Sequence, residues 1–384
     1  MKRILSACMV ISFLICCLWS SIYDANNKRH SSVEEDSTTY VEDTEINIDN
    51  WKENHTKVKG IYVTGPTAGS QRMDDIITLI NDTELNAIVL DVKDDAGNIT
   101  FMMDNEYVKS TDACIPYIKD IEGLLAKLHD DDIYVIARIP CFKDPTLAAA
   151  SEELCLRTLD GEPVTDANGN AWVNPCKEQV WNYILSIITS CSELGFDEIQ
   201  LDYVRFPVGQ NAESAYYSAP ADDEHRQKYI NDFLDKAIEI THSYDIPVTA
   251  DVFGTIIRSS IDSKHIGQDY MILASNLDGL CPMIYPSHYA NGEFGIDVPD
   301  AQPYETIYAA LSGSKDVLKY IPENDCAVIR PWLQAFTATW VDGHIEYDGA
   351  AIRSQIQAVY DAGYDEWILW NSKSEYNYSG LLFE

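Results

Sequence analysis

The sequence predicts an α/β fold, a (β/α)8 barrel of the TIM type. Three observations point there. From Lys59 onward, eight short apolar runs alternate with stretches whose apolar residues recur at helical spacing. No glycine-rich phosphate-binding turn follows the first run, as a doubly wound open sheet would usually show; Gly65-Pro66-Thr67-Ala68-Gly69 is a loop without that fingerprint. Finally, the runs end in carboxylates, cations, amides and aromatic rings, which in a parallel barrel gather at the C-terminal rim.

The first run is Gly60 to Thr64 and the second Ala87 to Val92. The third, Ile133 to Arg138, is compactly apolar, as a strand covered on both faces should be. The fourth begins at Phe196, after Leu194-Gly195 has stopped a helix, and runs out at Asp202. The fifth is Val248 to Val252, the sixth Gly279 to Tyr285, the seventh Ala327 to Gln334 and the eighth Trp367 to Asn371. Helical stripes lie between them: Met73, Ile76, Ile77, Ile80; then Ile118, Ile121, Leu125, Leu128; then Val180, Ile184, Ile187, Ile188, Cys191. Ile230, Phe233, Leu234, Ala237 and Ile238 form a fourth stripe, and Ile352, Ile356, Val359 and Tyr360 a last one, closed by Gly363.

Ahead of the barrel, residues 1–23 read as a signal peptide or a single membrane anchor. Lys2-Arg3 is a basic start, and Ile4 to Ile22 is almost uncharged and close to the ~20 residues that span a bilayer. Residues 24–56 are rich in Asn, Ser, Thr, Glu and Asp and read as a disordered spacer, leaving 57–384 for the barrel. The domain is therefore expected outside the cytoplasm, secreted or anchored by its N-terminal segment.

Acidic residues number 62 against 27 basic ones, a formal net charge of -35. That balance excludes nucleic acid, whose phosphates need a basic footprint, and a peripheral grip on anionic lipid. Ten cysteines include three in the leader; the other seven form no C-x-x-C pair, so no zinc site and no cofactor are expected. A disulfide among Cys141, Cys155 and Cys176 stays open, and Cys281 and Cys326 read as small core residues within strands.

The strand ends carry the chemistry. The second ends in Asp91, Lys93, Asp94 and Asp95, the third in Arg138, the fourth in Asp202, Tyr203 and Arg205, and the fifth in Asp251. Tyr285 and His288 follow the sixth, Trp332 and Gln334 close the seventh, and Trp370 and Asn371 the eighth. Carboxylates serve as acid, base or nucleophile in glycoside cleavage, while flat rings stack on sugars and amides bond hydroxyls. A carbohydrate substrate suits this mixture. Each part also has a plainer reading: Asp202 braced by Arg205, Asp94-Asp95 as a turn before Ala96-Gly97-Asn98, the tryptophans as core. A non-catalytic carbohydrate-binding barrel would use the same rings and amides. A divalent-metal enzyme could use Asp91, Asp202 and Asp251, but Lys93, Arg138 and Arg205 among them would repel the ion.

Several strings together resemble the Putative glycosyl hydrolase domain family of exported bacterial barrels. They are Lys59-Gly60-Ile61-Tyr62-Val63-Thr64, Leu90-Asp91-Val92-Lys93-Asp94-Asp95-Ala96-Gly97, Val135-Ile136-Ala137-Arg138-Ile139 and Trp172-Val173-Asn174-Pro175. Gln200-Leu201-Asp202-Tyr203-Val204-Arg205-Phe206-Pro207, Ala250-Asp251-Val252-Phe253-Gly254 and Met283-Ile284-Tyr285-Pro286-Ser287-His288-Tyr289 complete the set. Through that family's likeness to α-amylase-type glycosidases, the resemblance implies a retaining hydrolase with Asp202 as nucleophile and Asp251 as acid/base. The chain departs from related patterns at three places. Gln200 stands where the α-amylase type has arginine, Val204 where a chitinase-type strand has its acid, and Gln334 where many β-glycosidases have a nucleophilic glutamate.

Overall fold

A computed structural model describes Ile48 and residues 51–383 apart from Gln210. The expected export segment and most of the expected spacer lie outside the described residues. The folded part begins by Trp51, inside the stretch read as spacer: Trp51–Asn54 is a short helix whose tryptophan is buried.

Eight parallel staves close into a barrel. They are β1 (Lys59–Val63), β2 (Ala87–Asp91), β3 (Tyr134–Pro140), β4 (Glu198–Asp202), β5 (Val248–Phe253), β6 (Gly279–Ile284), a split β7 (Val328–Ile329 and Trp332–Gln334) and β8 (Trp367–Trp370). Each pairs in parallel with the next, and β8 returns to β1. The seventh run was expected to be continuous. It breaks at Arg330-Pro331, because proline has no N–H to give the ladder.

Helices wrap the barrel, among them α1 (Arg72–Asn81), α2 (Ile121–Asp130), α3 (Glu178–Leu194), α4 (Asp223–His242), α5 (Tyr270–Asn276), α6 (Pro303–Leu318) and α7 (Gly349–Asp361). The apolar stripe of α3 shows why they dock. Val180, Ile184, Ile187, Ile188 and Cys191 are all buried, each large side chain contributing about 1.5–3 kcal/mol. Gly195 ends this helix at φ 88°, a left-handed conformation that suits glycine. Ile118 is not in α2 but ends a small strand, Cys114–Ile118; Asp120 starts the helix by accepting the Gly123 N–H. The sequence reading missed α5 and α6. The packed face of α6 includes Ala310, Gly313 and Ser314, small residues that leave a weak apolar stripe.

Inside the barrel, alternate residues form layers. The floor is ionic. Arg330 donates to Glu198 (2.7 Å) and Glu366 (2.9 Å), and His55 reaches Glu366 at 2.6 Å. Thr249 adds a 2.7 Å bond to Glu198. Val89, Ile136, Cys281 and Ile368 belong to an apolar cluster inside the barrel. All seven cysteines from Cys114 to Cys326 are free thiols, and Cys326 lies just outside its strand and half-buried. Among the described residues no helix is long and apolar enough to cross a membrane.

Candidate active site

A cavity of about 1050 Å³ opens at the C-terminal ends of the strands. One guanidinium organises its floor. Arg138 on β3 donates to Asp91 of β2 (2.7 Å), to Asp202 of β4 (3.1 Å from Nε, with a second bond from Nη2) and to Asp95 (2.9 Å). Asp91 and Arg138 are register partners, so their side chains leave neighbouring staves on the same inner face. Tyr62 of β1 donates its hydroxyl to Asp91. Burial pushes Asp91 up to about 7, against the pull of Arg138. Burial also opposes the charge of Asp95, but Arg138 and Lys143 outweigh it and hold that carboxyl well below the usual range.

Asp251 sits beside this cluster. The β4–β5 register pairs Leu201 with Ala250, which makes Asp202 and Asp251 the next neighbours. The carboxylate of Asp251 accepts a 2.6 Å bond from the Trp332 indole. Burial, followed by the nearby charge of Asp202, raises its pKa well above the usual carboxylate range. Two adjacent carboxyl groups thus have different surroundings: Asp202 is matched by a cation, while Asp251 is driven toward its protonated form. Acid and base roles are divided in this way.

The backbone turns sharply just after Asp202. Tyr203 has φ 49°, in the left-handed region that a tyrosine rarely adopts. The turn brings the Tyr203 N–H to Asp202 Oδ1 at 2.6 Å and its hydroxyl to Asp95 at 3.0 Å. On the other wall, Gly254 is required by close approach. A Cβ there would lie 2.7 Å from the Met283 carbonyl.

Aromatic rings make the remaining wall. Trp370 lies 5.7 Å from Tyr285, 5.2 Å from Phe336 in an edge contact and 6.2 Å from Tyr62. Phe336 stacks at 5.9 Å on Trp340, which is 68% exposed at the rim. The rings therefore run from the barrel interior to solvent.

Ten residues expected at the site do line the cavity: Asp202, Asp251, Arg138, Tyr203, Arg205, Tyr285, His288, Trp332, Trp370 and Asn371. Asp91 lies beneath it and acts through Arg138. Three others stand away from it. Lys93 is buried on Asp144 (2.7 Å) and the Pro140 carbonyl (2.6 Å), bracing two loops. Asp94 accepts the N–H groups of Ala96 and Asn98 at 2.9 and 2.8 Å, forming the turn that was its plainer reading. Gln334 accepts from Ser287 N–H (3.0 Å) and donates to Asp300 (2.9 Å), tying loops after β6 and β7 together. Arg205 does not brace Asp202; Arg138 does. Asp95, whose plainer reading was a turn, lines the cavity, as do Tyr62, Phe253, Phe336 and Trp340, which were not among the expected site residues. Tyr62 had a signal, since period-2 alternation along the first run puts it on the inner face.

Among the described residues no group of three His, Cys, Asp or Glu side chains is arranged to hold a metal ion. Where Asp91, Asp95 and Asp202 converge, the positive charge is Arg138 itself.

Comparisons with known proteins agree with this architecture. The glycoside hydrolase domain of PgaB (BpsB) from Bordetella bronchiseptica is 13% identical with a TM-score of 0.60, covering 83% of this chain and 95% of its own. Alpha-L-fucosidase isoenzyme 2 from Paenibacillus thiaminolyticus is 14% identical with a TM-score of 0.54, over 85% of this chain and 48% of its own. At these identities both show the fold alone. A hypothetical protein from Ruminiclostridium thermocellum is 33% identical over 50% of this chain and 97% of its own, with a TM-score of 0.44. No curated protein matches the chain. Residues 60–376, the whole barrel from β1 past β8, match the family described as Putative glycosyl hydrolase domain, and the chain belongs to that family.

Proposed function

We propose that the protein hydrolyses glycosidic bonds of a polysaccharide with Asp202 as nucleophile and Asp251 as acid/base. The observation that carries the reading is the unequal pair: neighbouring carboxyl groups, one matched by Arg138 and the other raised by burial and by its neighbour's charge. Asp202 attacks the anomeric carbon while Asp251 gives its proton to the departing oxygen. The bond to that oxygen breaks as the Asp202 ester forms. Asp251, now ionised, takes a proton from water; the water oxygen attacks the same carbon and releases Asp202. Adjacent strands lie ~4.8 Å apart, from which both the ~5–5.5 Å carboxyl separation of retaining enzymes and the ~6.5–9.5 Å of inverting ones can be reached; the retaining course rests on the family resemblance. The rings around Trp370 would stack on the sugar.

The test is a pair of variants on an activated aryl glycoside that the wild type cleaves. Asp202→Ala should abolish turnover, and azide should yield only inverted glycosyl azide. Asp251→Ala should hurt poor leaving groups far more than good ones, and azide should give the retained product. Near-normal activity in both variants would sink the assignment. A glycan bound tightly and never cleaved would favour the binding barrel. The basic start and apolar run of residues 1–23 support an extracytoplasmic site of action; full-length protein found soluble in the cytoplasm would contradict that.

A further inference from the structure

Among the described residues five lysine and arginine side chains are buried: Lys93, Arg138, Lys143, Arg205 and Arg330. Four have carboxylate partners. Lys93 has Asp144, Arg138 has Asp91, Asp95 and Asp202, Lys143 has Asp95 and Asp166, and Arg330 has Glu198 and Glu366. Among the described residues Arg205 makes no ion pair. Nη1 donates to the Phe206 carbonyl at 3.0 Å, which leaves most of the guanidinium's donors without a protein acceptor. The side chain is only 6% exposed, yet it lines the cavity that holds Asp202 and Asp251.

Aromatic rings hold it there. The guanidinium carbon lies 4.4 Å from the Phe253 ring, 4.8 Å from Trp172 and 5.5 Å from Tyr203. Ring faces attract a cation but offer no lone pair to its N–H groups. Burial lowers the pKa of Arg205 to about 10, the mark of a charge that its surroundings leave under-compensated. A buried cation held in place and left unpaired beside reacting groups is suited to an anion that arrives with the substrate.

We infer that Arg205 selects a glycan carrying a carboxylate, and that a uronic acid residue docks its acid group on this guanidinium next to Asp202 and Asp251. The inference rests on the glycan-cleaving reading of the same cavity. A planar carboxylate matches the planar fork of arginine, which can donate two parallel bonds to it. The net charge of -35 disfavours a densely anionic polymer; a chain with acidic residues at intervals fits better.

The test compares each acidic polysaccharide with its own carboxyl-reduced form, so that charge alone changes. Glucuronoxylan and hyaluronan oligosaccharides, which carry their acids at intervals, serve as probes, titrated calorimetrically into the full-length Asp251→Asn protein. At least one acidic form should bind about tenfold or more tighter than its reduced form. Arg205→Gln should erase that difference, and Arg205→Lys, which keeps charge without the fork, should keep only part of it. Equal binding of acidic and reduced forms overturns the inference, and so does a preference that survives Arg205→Gln. Should Arg205→Gln fail to fold, the wild-type comparison and Arg205→Lys still decide. Cleavage of neutral glycans without any acidic preference would refute this inference alone. Acidic preference in a protein that cleaves nothing would support it while refuting the hydrolase reading.

Discussion

Arg138→Gln is the perturbation that probes the site most deeply. The arginine side chain is 6% exposed, and its partners Asp91 and Asp202 are 4% and 9% exposed. Removing one partner of a buried pair costs about 3–5 kcal/mol, because the remaining charge stays buried. Two carboxylates share this one cation, so the contributions do not add, and the whole loss should stay near that figure. Asp95, with a side chain 48% exposed, should add little. The cost should also depend on pH. Without Arg138, whose charge pulls against the effect of burial, the folded-state pKa of Asp91 rises further above the ~3.9 of an unfolded aspartate. Groups raised in this way contribute stability that is fully present below pH ~4 and lost as pH rises through the folded pKa. Asp91 is already raised to about 7 in the native protein. The deficit of the variant should therefore be largest near pH 8 and shrink toward pH 4. Urea unfolding of both proteins across that range measures it. A variant within ~1 kcal/mol of wild type at pH 8, or a deficit independent of pH, would refute the view of Arg138 as the charge that holds the floor together.

Other perturbations separate the roles of the cavity wall and the barrel base. Trp332→Phe removes a hydrogen bond that favours ionised Asp251, so the alkaline limb of kcat/KM should move up by about 1–2 pH units; an unmoved limb would mean Asp251 is not the acid. Trp340→Ala should raise KM for polymeric substrate by roughly 2–10-fold, from ~0.5–1.5 kcal/mol of lost ring stacking. The same variant should leave small aryl glycosides and the melting temperature unchanged, because the ring is 68% exposed. Arg330→Met leaves Glu198 and Glu366 buried without their cation and should cost about 3–5 kcal/mol in urea unfolding, with kcat on the remaining folded protein unaltered.

Much of this molecule was legible in its sequence because barrel strands advertise themselves. Runs such as Ile88-Val89-Leu90 and Ile368-Leu369 are apolar on both faces, and most of the polar and aromatic residues that interrupt such runs at the C-terminal end line the cavity. The rim residues Arg138, Asp202, Asp251 and Trp370 could be read off in that way. The adjacent Asp94 and Asp95 could not be told apart. The first is spent on a turn and the second faces Arg138, and only backbone geometry decides which. Lys93 and Gln334 look equally polar at strand ends, but their partners Asp144 and Asp300 are far off in sequence. The Phe336–Trp340 platform lies in a loop with no periodicity to mark it. Helix α6 hid for a related reason: small residues pack closely against the barrel without giving an apolar stripe.

The most direct test of the central claim is reducing-end release from a panel of neutral and acidic polysaccharides, run in parallel with wild type, Asp202→Ala and Asp251→Ala. The wild type should release reducing ends from at least one glycan. Asp202→Ala should fall to background, and Asp251→Ala should lose about 10²–10⁴-fold on that natural linkage. All three proteins should melt cooperatively, showing that the losses are chemical. A wild type that cleaves nothing in the panel while remaining folded, or variants that cleave as well as it does, would contradict the assignment of hydrolysis to Asp202 and Asp251.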